Sequence, residues 1–180
     1  VEFGDNFRLL AVTMLLFKLT GSGLAAGFSL VMTPIVGLIL SPLAGVLGDG
    51  LEGKKFLSIL CLLQGALVTL FIKGIQLQMV YVILVLFAGI QIIQDPVYKK
   101  MVRNSLQNSD IIVGNSLSTG VSGFSNLLAP ILGGIGIQLW GMDKVLIGSS
   151  FAYIISSLTV LTVGDDINLA KKRIYKNRLI

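Results

Sequence analysis

A chain of 180 residues that is 54% hydrophobic and only 13% charged, with a mean hydropathy of +0.88, falls outside the composition of a soluble globular domain and takes lipid as its solvent. Histidine is absent and the single cysteine, Cys61, sits in an apolar run. An intrachain disulfide is therefore excluded, and metal-cluster or histidine-based acid–base chemistry has no material to work with. The net charge of +5 is spread between hydrophobic runs and the tail rather than gathered on one soluble face, which argues against a nucleic-acid partner. The composition predicts a non-enzymatic membrane protein with no cofactor.

In chain order, the first apolar stretch, Phe7 to Leu19, has only thirteen residues. That is about 20 Å of helix against a hydrocarbon core of about 30 Å. It reads as a first span missing its start, or as a short helix that thins the bilayer locally. Glu2 and Asp5 stand where a signal peptide would carry positive charge, so that alternative is disfavoured. Thirty uncharged residues lie between Lys18 and Asp49, enough for a second span over Leu24 to Leu47 with Pro34 and Pro42 as tolerated kinks. Phe56 to Ile72 and Ile75 to Gln94 form a hairpin of two more spans around Lys73-Gly74. A glycine- and serine-rich fifth span lies within Ile111 to Met142, and its small residues predict burial inside the bundle. Val145 to Val163 is the sixth span, after a turn at Gly141-Met142-Asp143-Lys144. The expected fold class is all-α: a polytopic transmembrane bundle of about six helices over residues 1–164, followed by a basic cytoplasmic tail or linker at 165–180.

Alternating the loops places Lys54, Lys55, Lys99, Lys100, Arg103, Lys171, Lys172, Arg173, Lys176 and Arg178 on one side and only Lys18, Lys73 and Lys144 on the other. This asymmetry predicts that the three basic segments are cytoplasmic in a multi-pass plasma-membrane protein.

Gly45-Val46-Leu47-Gly48-Asp49-Gly50-Leu51-Glu52-Gly53-Lys54-Lys55, between the second and third spans, combines a glycine, an aspartate four residues on and a terminal basic pair. Gly45, Asp49, Lys54 and Lys55 resemble the cytoplasmic gating-loop signature of the major facilitator superfamily, with Gly50 and Gly53 where that family usually has arginine. Leu19-Thr20-Gly21-Ser22 and Asp95-Pro96-Val97-Tyr98-Lys99 look like segments of the branch that includes macrolide-efflux and enterobactin-export proteins. Ala129-Pro130-Ile131-Leu132-Gly133-Gly134 is similar to the fifth-helix proline–glycine motif of drug–proton antiporters, with Ala129, Pro130, Gly133 and Gly134 in the matching places. The resemblance implies the amino-terminal six-helix half of a twelve-helix secondary transporter, built from two three-helix repeats. It further implies efflux of a drug- or siderophore-like amphipathic small molecule by alternating access, multidrug resistance as a phenotype, and a missing carboxy-terminal half or a second copy as partner. A non-transporting fragment or partner-dependent assembly module is the alternative.

Polar groups at membrane depth are the candidates for a substrate or proton site, because ionisable side chains are expensive there. They are Asp5, Arg8, Gln91 and Asn126, with Arg8 three residues from Asp5 and able to neutralise it. Gln64 and Gln94 add polarity suited to a cavity or to interhelical contacts. In the twelve-helix protein, Asp49→Asn is expected to impair transport more than protein level, measured as export normalised to membrane abundance; unchanged export would remove the gating role.

Overall fold

The structure, a computed structural model, describes residues 2–50, 53–72, 75–105 and 111–177, with side chains assigned within these ranges except at 43–50, 103–105, 111 and 163–177. It is an all-helical bundle: α1 (Glu2–Thr20), α2 (Gly23–Gly50), α3 (Gly53–Ile72), α4 (Leu77–Ser105), α5 (Ile111–Trp140) and α6 (Met142–Asn177). The helices α2 to α6 are long and apolar enough to cross a membrane, which makes this a multi-pass membrane protein. α1 contains 19 residues, about 28 Å at helical rise, and starts five residues before the apolar stretch does. Its buried face is Gly4, Arg8, Ala11, Val12 and Leu16, a spacing of three and four that turns Glu2 and Asp5 into part of the helix.

Lipid-like exterior and packed interior are both visible. Leu24, Leu38, Ile112, Leu127 and Phe151 are among the exposed large apolar side chains, as expected of a protein whose outside faces hydrocarbon. The core gathers Val12, Leu16, Val68, Phe71, Val80, Leu84, Phe87, Leu146 and Tyr153 from α1, α3, α4 and α6. Hydroxyl pairs tie helices together where little hydrophobic drive exists in lipid. Ser58 and Ser157 join α3 to α6 at 2.6 Å, and Thr13 and Ser29 join α1 to α2 at 2.8 Å.

The packing follows a near exchange of α1–α3 with α4–α6. α1 packs on α5 as α4 packs on α2, α1 on α6 as α4 on α3, and α3 on α6 maps onto itself. The exchange breaks at two places: α5 packs on α6, whereas the equivalent contact between α2 and α3 is slight among the described residues. α1 packs firmly on α2, whereas the equivalent contact between α4 and α5 is slight among the described residues.

Two connections are minimal. Gly21 (φ +64°) and Gly141 (φ +87°) adopt the left-handed conformation, and their amides donate to Phe17 O at 2.8 Å and Ile137 O at 3.0 Å, closing α1 and α5. The expected four-residue turn at 141–144 is thus one residue, since α6 begins at Met142. At its other end α6 continues as helix to Asn177, through most of the segment expected to be a tail.

The helix α5 is not buried as its small residues suggested. It packs on α1 and α6 along one side, and a Cβ added at Gly120, Gly123 or Gly134 would meet nothing within 4 Å. Within the proline–glycine motif, Ala129 is buried, Pro130 is exposed and Gly133 lies against α1, where an added Cβ would come 2.8 Å from Leu10 Cδ2 and 3.1 Å from Phe7 Cδ1. Gly133→Ala is expected to cost about 1–3 kcal/mol through overpacking, while Gly134→Ala is neutral or slightly stabilising. Apparent melting temperatures of the two variants in detergent, compared with the parent, check the contrast.

Candidate functional site

A guanidinium buried away from water must find partners within the bundle, because an unpaired charge is costly there. Arg8 is only 4% exposed, and three helices surround it. One turn back on α1, Asp5 Oδ1 lies 3.8 Å from Arg8 Nη2. From α6, the fully buried Tyr153 donates its hydroxyl to that same Asp5 oxygen at 2.6 Å, and the hydroxyl oxygen accepts from Arg8 Nε at 3.3 Å. From α4, Phe87 places its ring centre 4.2 Å from the Arg8 guanidinium carbon, where the negative ring face favours a cation.

Small residues make room for this cluster. A Cβ on Gly4 of α1 would lie 3.5 Å from Ala152 Cβ and the Tyr153 ring, and one on Gly65 of α3 would lie 3.5 Å from Ser150 O and Tyr153 Cβ. Tyr153 is therefore held between α1 and α3, and its ring also stands 6.3 Å from that of Phe87. Its hydroxyl has one position to occupy, between the carboxylate and the guanidinium.

Beside this cluster, where α4 and α5 part, lies a cavity of about 480 Å³ walled by α1, α4 and α5. Three carboxylates line it: Glu2 and Asp5 of α1 and Asp95 of α4. Among the described residues no lysine or arginine does. Gln91, Gln94, Ser122 and Ser125 add neutral polar groups, while Phe3, Tyr98, Leu117 and Val121 add apolar and aromatic surface. Ser122 Oγ donates to Glu2 Oε1 at 3.0 Å, fixing the start of α1 against α5. Gln94 Nε2 donates to Cys61 Sγ at 3.4 Å, so this cysteine has a packing and hydrogen-bonding role on α3.

The sequence candidates separate into distinct places. Asp5 and Gln91 meet on the cavity wall, whereas Arg8 stands behind Asp5 in the interior. Asn126 is exposed on α5, does not line the cavity, and accepts a hydrogen bond from Asn6 Nδ2 at 2.8 Å, which makes it an α1–α5 fastener. In the gating-loop motif, α2 runs as helix to Gly50, and the side chains of Gly45 and Asp49 lie outside the described residues. Lys54 is half-buried and Lys55 exposed in the first turn of α3.

Sequence reasoning passed over Glu2, Asp95 and Tyr153. Asp95 lay beyond the expected end of the fourth span, but α4 continues through Pro96 to Ser105 and carries the carboxylate onto the cavity wall. Tyr153 gave a usable signal in being a hydroxylated aromatic in the middle of an apolar span, where the hydroxyl needs a partner. Searches of protein-family models, curated proteins and solved structures found no match to this chain.

Arg8→Met leaves the Asp5 charge without its counter-charge in the interior and is expected to cost about 3–5 kcal/mol. Pairing it with Asp5→Asn should recover much of the loss. Folded yield and apparent melting temperature of the single and double variants measure this; a double variant no better than the single would show that the ion pair is not the stabilising element.

Proposed function

We propose that this chain is the amino-terminal half of a secondary exporter of the major facilitator type, which moves a small amphipathic molecule across the plasma membrane by alternating access. The observation that carries the reading is the cavity between α1, α4 and α5, where carboxylate, amide and hydroxyl groups converge beside apolar surface. Ionisable groups so placed are expensive, and facing a cavity gives them both water and a ligand to contact. The near exchange of α1–α3 with α4–α6 supports the nested repeats on which such transporters are built.

Asp5 and Gln91 would contact the substrate, and Tyr153 and Arg8 would hold Asp5 in place. If the basic segments are cytoplasmic, as their charge asymmetry predicts, the cavity would lie in the cytoplasmic half of the bundle, since Val102 near the C-terminal end of α4 and Gly114 near the start of α5 belong to its wall. The open face of α5, with Gly120 and Gly123 uncovered, suits close approach by further helices that complete the opposite wall.

The test is accumulation of a panel of fluorescent drugs and siderophore-like compounds in cells that express the complete reading frame and lack their own major exporters. Export of at least one compound is expected. Asp5→Asn should cut export about tenfold at equal membrane abundance, the order of one lost charged contact. A correctly inserted protein that exports no compound, and instead co-purifies with another membrane protein, would favour the assembly-module reading.

A further inference from the structure

We infer that Gln64 of α3 is a second station for the Arg8 side chain, the acceptor that takes the guanidinium when Asp5 turns to a ligand in the cavity. The inference rests on the reading of that cavity as the substrate site and adds to it a positioning residue that is not part of the wall.

Gln64 is 0% exposed, and among the described residues neither its Oε1 nor its Nε2 has a hydrogen-bond partner. Buried polar atoms are almost always satisfied, and an amide orphaned at both ends is costlier than an apolar side chain of similar size. A residue that only filled this part of the core would be better apolar, as Leu57, Val68 and Phe71 on the same helix are. The amide is therefore suited to an arrangement of the bundle other than the one seen.

Its place on α3 says which group it can serve. Leu57, Cys61, Gln64, Val68 and Phe71 form one buried stripe spaced by three and four residues. The stripe faces α4, since Cys61 accepts from Gln94 and the Phe71 ring stacks on that of Phe87, with centres 6.4 Å apart. Gln64, one turn beyond Cys61, falls between these two contacts. The next residue, Gly65, borders Tyr153, whose Cβ would lie 3.5 Å from a Cβ added there. Gln64 thus stands on the α3 side of Phe87 and Tyr153, the two rings that hold Arg8.

Arg8 has the complementary surplus. Its one hydrogen bond is from Nε to the Tyr153 hydroxyl at 3.3 Å, and Asp5 stands at 3.8 Å, an ion-pair separation beyond hydrogen-bond length. A guanidinium fork carries further N–H donors, and an amide oxygen is an acceptor for them. A ligand that engages Asp5 from the cavity draws the carboxylate away from Arg8, and a buried cation stripped of its partner is strongly destabilised. Gln64 Oε1 offers that cation an acceptor on the opposite side without changing the charge of the interior.

The experiment is a double-mutant cycle on the purified full chain in nanodiscs, read as apparent melting temperature. Gln64→Leu alone is expected to leave the temperature unchanged or to raise it, because it removes two orphaned atoms. In the Asp5→Asn background, where Arg8 needs its second station, the same substitution is expected to lower it by about 5 °C, the scale of one hydrogen bond to a charged group. The double variant Asp5→Asn/Gln64→Glu, which moves the carboxylate from α1 to α3, is expected to recover most of what Asp5→Asn loses. Should Asp5→Asn alone not elute as a folded species, a folded species regained on adding Gln64→Glu is the expected result. An equal shift from Gln64→Leu in both backgrounds, as a packing or internally hydrated side chain gives, or no recovery from Gln64→Glu overturns the assignment. None of these readings requires transport. Export without the expected coupling leaves the exporter reading standing and removes the second station, and coupling in a chain that exports nothing does the reverse.

Discussion

One buried guanidinium organises this bundle. Arg8 is taken out of water by burial, and its ion-pair partner on α1 is the single carboxylate a turn away. Its remaining needs are met from α6 by the Tyr153 hydroxyl and from α4 by the Phe87 ring. Three helices distant in sequence are thereby committed to one another at one depth. The requirement propagates outward, because Tyr153 fits only where Gly4 and Gly65 present no side chain, and the closeness of α3 and α6 that results lets Ser58 reach Ser157.

That commitment of α1 to the interior also shapes the cavity. The start of α1 leans on α5 through Glu2 and Ser122 and through Asn6 and Asn126, which brings two carboxylates to the place where α4 and α5 diverge. Had the α4–α5 contact matched its α1–α2 counterpart, the polar wall would be sealed by packing. The departure from internal symmetry goes with the cavity that Gln91, Asp95 and Ser122 line between α4 and α5.

Much of the fold was legible before any coordinates, because apolar length is the strongest signal a membrane helix gives. The spans beginning near Leu24, Phe56, Ile75, Ile111 and Val145 correspond to α2 through α6. Helix ends were less legible. Asp95, with Pro96 after it, looks like an exit in one dimension, but in a membrane bundle a proline can remain in the helix while neighbours satisfy the freed backbone group. The burial of α5 was misjudged for a related reason: small residues mark where close approach is allowed, not which neighbour uses it, and Gly133 has a neighbour within this chain whereas Gly120 and Gly123 do not. Of the residues on the cavity wall, Asp5 and Gln91 were singled out as polar groups expected at depth. Tyr153 was not, since its partners are more than a hundred positions away and no local pattern announces them.

The two glycine corners, Gly21-Ser22 and Gly141, carry a mechanical consequence. Gly21 and Gly141 join α1 to α2 and α5 to α6 at the same end of the bundle, opposite the basic segments, with almost no slack in either joint. Loops of that length cannot act as flaps. Any widening there has to come from each hairpin tilting as a single lever, so that displacement at the glycine corners is delivered, with its direction reversed about the Arg8–Tyr153 fulcrum, to the far ends of α1 and α5 that form two of the cavity's three walls.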